Sequence, residues 1–365
     1  MMTLQTTEQV LPLLELIDQP AFCIRNDAAI LYNDAARLLA PVSAQDLPVW
    51  LDSACELYDQ WDRSGNLVLP ISIGSQTTNV TIQPLADGTL FLLTRSEGFA
   101  AAAKDMTVTA QVLRQPLNDL CSMAQQLSET LEEAEDPLLQ QQTAAMSRHI
   151  YRLSRIACNL ADLEQLRDGT YPVHAETMDL TAFLRNFTEE LRDLCQMSGF
   201  KLDTALPDSR LLISADSVLL ERALLNLISN AMKYGKTEDP IRLIVDMTAT
   251  AVHIRVQNSA AKSGGDLMTA AFQRLNRRGL LPDPQWGIGL GLPLALCVAR
   301  AMGGTIAVAH NNGLITVTMS VSRKRPPQDT NVRTMPPYDY TGGMHRALVE
   351  LADALPDHCF DSTAI

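Results

Sequence analysis

Apolar and polar positions along the chain keep changing their rhythm. Between residues 12 and 95, short β-rich runs are divided by turn residues. Ala21 to Arg25 and Ala29 to Tyr32 flank an Asn26-Asp27 turn, while Leu67 to Ile73, Thr78 to Leu85 and Thr89 to Thr94 are broken by Gly74-Ser75 and Asp87-Gly88. This spacing predicts a hairpin-linked sheet, and Asn33 stands where it caps a helix carrying Ala35, Ala36, Leu38 and Leu39. From Met106 the apolar residues Met106, Ala110, Leu113, Leu117, Leu120, Ala124, Leu127 and Leu131 recur at alternating spacings of four and three, a heptad seam. A second seam, Met146, Ile150, Leu153, Ala157 and Leu160, follows an acidic break at Glu132 to Pro137. Two such helices form a hairpin whose stripe is too narrow to bury alone, and a second copy would close a four-helix bundle, so a homodimer is expected.

Residues 172 to 322 alternate helices with β-branched runs. After Arg323-Lys324-Arg325-Pro326-Pro327 comes a polar linker to about Tyr340, then a short amphipathic helix with Met344, Ala347, Leu348, Leu351 and Leu355 on one side. That helix either folds back onto the body or serves as a docking segment.

Composition narrows the function classes. Hydrophobic residues make up 46% of the 365 and charged residues 19%, enough to bury several cores. Lys and Arg total 29 against 42 Asp and Glu, a net charge of -13 without a basic stripe, which argues against direct nucleic-acid binding. No apolar run approaches the ~20 residues of a membrane span, and Glu8, Glu15 and Asp18 stand where a signal peptide would be basic, so a cytoplasmic protein is expected. The seven cysteines are scattered and form no CxxC pair, the pattern of reduced, mostly buried thiols.

Candidate chemistry sits in two places. On the helix from Asp216 to Tyr234, Asn226, Asn230 and Lys233 fall at offsets zero, four and seven and form one polar stripe, with Leu220, Leu224, Leu227, Ile228 and Ala231 on the opposite arc. Two amides and a cation in line suit a metal-bound phosphate. A solvated polar face would read the same way. Gly287-Ile288-Gly289-Leu290-Gly291-Leu292 leads straight into an apolar helix, Pro293 to Met302, which is either an anion site at a helix start or a simple loop and cap.

Taken together and in this order, the two runs resemble boxes of one family. NLISNAMKY (Asn226 to Tyr234) resembles the N box of the histidine kinase and Hsp90-like ATPases, GIGLGL (Gly287 to Leu292) their second glycine box, Ala271 to Leu275 the phenylalanine box, and Met302-Gly303-Gly304 the following glycine pair. AFCIRNDAAILYNDAARLLA and VTIQPLADGTLFLLT resemble the opening and closing of a PAS sensor domain. The implied fold is α+β and multidomain. It comprises an N-terminal segment (1–11), a PAS-like sensor (12–98), a helical hairpin forming a dimeric four-helix bundle (104–168), an α/β sandwich of the ATP-binding type (172–322), and a linker with a C-terminal helix (323–365). The resemblance implies ATP and Mg as ligands, with Asn230 on the metal, Asn226 and Lys233 on the phosphates and Tyr234 beside the nucleotide. It also implies that Gly287, Gly289 and Gly291, with Leu292, shape the lid hinge, and that a response regulator receiver domain or a partner kinase is the partner.

The chain departs from that family at two chemical positions. AQVLRQPLNDL keeps the phosphoacceptor box's Leu113-Arg114 and Pro116-Leu117, yet Gln111 stands at the acceptor histidine and Val112 at the acidic residue beside it. A carboxamide nitrogen has its lone pair delocalised and does not accept a phosphoryl group as imidazole does. His149 is flanked by Arg148 and Arg152 and reads as a solvated helical residue. In the first glycine box Asn258 replaces the adenine-binding Asp, and Ala260 and Lys262 replace glycines, so the bond to the base loses its charge assistance. The leading expectation is a histidine-kinase-like regulator that binds ATP without phosphorylating itself at the usual position. The alternatives are a sensor kinase or response-regulator phosphatase acting in trans, and an Hsp90-like ATPase.

Overall fold

In a computed structural model, the structure describes residues 5–14, 16–17, 19–26, 30–37, 45–73, 76–93, 117, 119–120, 122–124, 126–127, 137–260, 290–311, 313–323, 340–341 and 343–360. The N-terminal third contains α1 (Thr7–Leu14), β1 (Ala21–Arg25), β2 (Ile30–Tyr32), α2 (Asp34–Arg37), α3 (Leu47–Leu51), α4 (Cys55–Asp59), β3 (Asn66–Ile73), β4 (Gln76–Leu85) and β5 (Gly88–Leu93). The strand runs read from the sequence are all present. Asn33 caps α2 as expected, its Oδ1 accepting from Ala36 N at 3.0 Å, and it also accepts from Ala21 N and donates to Leu14 O.

The remainder comprises α5 (Pro137–Arg167), β6 (Glu176–Asp179), α6 (Leu180–Met197), β7 (Leu202–Ala205), β8 (Leu212–Ala215), α7 (Ser217–Tyr234), β9 (Ile241–Met247), β10 (Ala251–Ser259), α8 (Gly291–Ala301), β11 (Ile306–Asn311), β12 (Leu314–Ser322) and α9 (Arg346–Leu351). Acidic N-caps start two of the long helices. Asp179 accepts from Thr181 N and Ala182 N, and Asp216 accepts from Val218 N and Leu219 N, satisfying donors that a helix start leaves open.

Sequence patterning predicts one sheet in the N-terminal module and another in the ATPase-like region. The structure instead joins them into one ten-stranded sheet, ordered β2-β1-β5-β4-β3-β11-β12-β10-β9-β7. The junction is the antiparallel pair β3 and β11, with Val68 opposite Val308 and His310 opposite Asn66. No periodicity signals such a pairing, because it joins two strands that each look like an ordinary edge in the sequence. Alternation then distributes the side chains. Val68 and Val308 join the larger core with α6, α7 and α8, while Leu67, Leu69 and Ile71 join Trp50, Leu51, Leu57 and Trp61 of the smaller one. Glu56 on α4 accepts hydrogen bonds from Thr248 and Thr250, so the turn between β9 and β10 is also tied to the N-terminal module.

The expected second heptad seam lies on α5 but is divided. Ile150 and Ala157 are buried and Leu160 is half-buried, whereas Met146 and Leu153 are 40% and 51% exposed. The first seam lies largely outside the described residues; within them Leu117 and Ala124 are buried and Leu120 and Leu127 exposed. His149 is exposed, as its solvated reading required. Among the described residues no helix is long and apolar enough to cross a membrane.

The β3–β11 junction leaves no room beside Gly65, where a Cβ would stand 1.9 Å from His310 O. Gly65→Ala is expected to lower stability in urea unfolding by about 1–3 kcal/mol, through overpacking at the seam between the two half-sheets.

Candidate functional site

The even positions of β10, Val252, Ile254, Val256 and Asn258, alternate onto the face covered by α7 and α8. Asn258 is thereby buried to 5% exposure at the end of an apolar row, opposite Ile315. Its Nδ2 finds no hydrogen-bond acceptor among the described residues. It lies 3.5 Å from where a Cβ on Gly235 would project, just past the end of α7.

Helix α7 is buried on more than its apolar arc. Leu220, Leu224, Leu227, Ile228 and Ala231 are buried as expected, but so are Arg222, Asn226 and Ser229. α5 and the C-terminal segment cover two members of the expected polar stripe, Asn226 and Lys233. Asn226 has no exposure; its Oδ1 accepts from Arg155 Nη2 at 2.7 Å, and its Nδ2 donates to Glu350 Oε2 and to Arg222 O, each at 2.9 Å. Lys233 Nζ pairs with Asp353 Oδ2 at 2.9 Å. Asn230 and Tyr234 are half-buried. Gly291 opens α8 against the same spot, since a Cβ there would stand 2.5 Å from Asn226 Oδ1. Leu292, half-buried, packs against the larger core. Gln111, Val112, Gly287, Gly289 and the run from Ala271 to Leu275 lie outside the described residues.

Around Asn226 the sequence reading missed a charge cluster. Arg222 is fully buried and donates through Nε to Glu350 Oε1 at 2.8 Å, through Nη1 to Asp162 and through Nη2 to Asn159 Oδ1 at 2.8 Å. Its guanidinium carbon sits 4.5 Å from the Tyr340 ring centroid. Arg155 donates to Asp353 Oδ2 at 2.8 Å and to Ser229 Oγ at 3.3 Å. At the rim, Arg152 donates to Asp353 and Arg148 to Asp357, both at 2.9 Å. Arg155, Arg222 and Lys233 therefore balance Asp162, Glu350 and Asp353 inside the protein. Two spacings foreshadow this: Arg148, Arg152 and Arg155 share one face of α5, and Arg222 precedes Asn226 by one helical turn.

The titration behaviour follows the same geometry. Burial alone would raise Asp353, but Arg155 and Lys233 offset it and hold the carboxyl down at about 2. Burial and the neighbouring Arg155 push Lys233 down to about 8, against the pull of Asp353. Glu221 lies under the C-terminal segment, 3.1 Å from Arg346 Nη1; burial raises it to about 7, with Arg346 only partly compensating.

Residues 215–339 match the family described as histidine kinase-, DNA gyrase B-, and HSP90-like ATPase, a span that begins one residue before the Asp216 cap and holds α7 and α8. The curated relatives are sensor kinases. The sensor protein KdpD of Escherichia coli (strain K12) is 26% identical over 197 residues, covering 53% of this chain and 21% of that protein. Over about half of its length the chain is similar to sensor histidine kinases. Sensor histidine kinase YvrG of Bacillus subtilis (strain 168) is 22% identical over 173 residues, 47% of this chain and 30% of its own length. The matched segments thus span less than a third of either kinase. Among solved structures, full-length ShkA in complex with AMPPNP aligns with a TM-score of 0.46 at 20% identity, over 60% of this chain and 46% of that one. In the N-box-like run the first amide and the lysine are engaged by the chain's own C-terminal segment.

Two outcomes test the cluster. Arg222→Ala leaves Glu350 and Asp162 buried without their cation and is expected to cost about 3–5 kcal/mol in denaturant unfolding. Glu221 has a folded pKa above its unfolded value, so its favourable contribution is present at low pH and is lost as pH rises towards 7. Glu221→Gln is therefore expected to leave stability nearly unchanged at pH 5 and to raise it by roughly 2 kcal/mol at pH 8, read from melting curves at both values.

Proposed function

We propose that this histidine kinase-type signalling protein binds Mg-ATP as a conformational ligand and regulates a partner without phosphorylating itself at the usual position. The observation that carries the reading is the carboxamide of Gln111, with Val112 beside it, in a box whose packing residues are kept. A nucleophile with a free lone pair and the acid next to it are replaced together, while the N box and the second glycine box persist.

The residues fit a nucleotide at its base end. A buried Asn258 carboxamide with an unspent N–H offers hydrogen bonds to a purine edge, on a wall whose other members are apolar. At the phosphate end Asn230 supplies an amide oxygen for a hard cation, and Lys233 supplies the ammonium once it is released from Asp353. Bound ATP would bring charge to this end of α7, and any difference in its affinity for two arrangements of α5 against α7 biases that equilibrium.

Homodimerisation belongs to the same reading. Leu139, Met146 and Leu153 are exposed at seven-residue spacing on α5, and Leu120 and Leu127 share that repeat in the preceding helical stretch. A second copy of the 104–168 hairpin would cover them in a four-helix bundle. In this reading the 12–98 module is a PAS-like sensor and the partner is a response regulator receiver domain or another kinase, met in the cytoplasm.

Mg-ATP is expected to raise the melting temperature of the wild-type protein and not that of Asn230→Ala. Incubation with labelled ATP should leave no acid-labile phosphoprotein; a strong phosphohistidine signal would overturn the proposal. Adding candidate receiver domains separates a scaffold, which leaves their phosphorylation unchanged, from a transferase or phosphatase acting in trans.

A further inference from the structure

The two N box residues expected on the phosphates, Asn226 and Lys233, are each bonded to a carboxylate of one short C-terminal segment. Glu350 Oε2 accepts from Asn226 at 2.9 Å, and Asp353 Oδ2 accepts from Lys233 at 2.9 Å and from Arg155 at 2.8 Å. Residues 350 and 353 are three apart, so one turn presents both acids to the same helix. If the segment lifts away, Arg155, Arg222 and Lys233 face Asp162 alone, and the excess positive charge lies beside the Asn226 and Asn230 amides. That is an anion site, and its present occupant is part of the chain.

We infer that the C-terminal segment, residues 340–360, is a built-in competitor of the nucleotide's phosphates, with the Glu350 and Asp353 carboxylates standing where an incoming polyphosphate must be received. This rests on the Mg-ATP reading above and deepens it. The segment is anchored by apolar residues, Leu348, Val349, Leu351, Leu355 and Phe360, all buried to 1% exposure or less. Such anchoring keeps the carboxylates at high effective concentration over the site, so a free nucleotide meets an occupied cation set. The same carboxylates are bonded to α5 through Arg155 and Arg152, so displacing them also frees α5 from the C-terminal segment, while the direct bonds of Arg155 to Asn226 and of Arg222 to Asp162 still join α5 to α7. Nucleotide binding and the hold of the C-terminal segment on α5 are thereby one equilibrium, and linkage makes the coupling reciprocal.

The test uses the full chain. Hydrogen exchange read by mass spectrometry, with and without saturating Mg-ATP, should show amides 346–355 exchanging at least fivefold faster when nucleotide is present. Equilibrium titration with Mg-ATP should show Asp353→Asn binding at least tenfold more tightly than wild type, and Asp357→Asn, whose carboxylate pairs with the rim residue Arg148, binding as wild type does. A melting curve establishes that each variant is folded, and the exchange measurement on wild type needs no variant at all. Both results are required. Binding that Asn230→Ala abolishes, combined with unchanged or slowed exchange at 346–355 or with no tightening in Asp353→Asn, overturns this proposal and leaves the nucleotide reading standing. Failure of wild type and Asp353→Asn alike to bind Mg-ATP overturns both.

Discussion

A guanidinium with no exposure to water has to be matched by charge and geometry together, and Arg222 sets that requirement for the middle of this protein. Its donors are met from α5 by Asn159 and Asp162 and from α9 by Glu350, with the Tyr340 ring against its face. Three segments far apart in sequence are therefore fixed relative to one another by a single side chain. Once Glu350 is held there, its second oxygen takes the Asn226 amide, Arg155 takes the other end of that amide, and Gly291 must lack a side chain beneath it. The orientation of the N box residue is thus a consequence of a charge one turn before it.

The same arrangement alters what the family's nucleotide-site features mean in this chain. An N box is usually considered as a row of ligands awaiting metal and phosphate. Here Asn226 and Lys233 of that row are already bonded within the protein, and the cations near it are neutralised by carboxylates of the chain itself. Ligand affinity then depends on the difference between two sets of contacts and not on the contacts to ligand alone. The continuous sheet adds a mechanical side to this. The β3–β11 pair and the Glu56 contacts with Thr248 and Thr250 connect the N-terminal module to strands whose far face supports α7.

Much of the local structure was legible in the sequence, because it rests on short-range rules. The strands from Ala21, Leu67 and Thr78, the Asn33 cap and the apolar arc of α7 follow from alternation, turn residues and helical spacing. So does the apolar side of the C-terminal segment, whose Met344, Ala347, Leu348, Leu351 and Leu355 are all buried against the body. Folding back is the alternative of the two that the structure realises. What escaped was everything decided by meeting a distant partner. Glu350 and Asp353 look like ordinary acids on a polar face, and Arg155 looks like one more cation on a surface helix.

The sequence by itself determined the likeness of residues 215–339 to the ATPase family, the carboxamide at position 111 and the set of amides and cations on α7, because those depend on residue identity and spacing within one element. Only the tertiary structure decided which way the α7 stripe faces, that β3 joins β11 and that the tail's carboxylates sit on Lys233 and Asn226. The reason is physical: a helix's periodicity says which residues share a face but not what will cover it, and a buried charge selects its cover by the electrostatic match it finds across the fold.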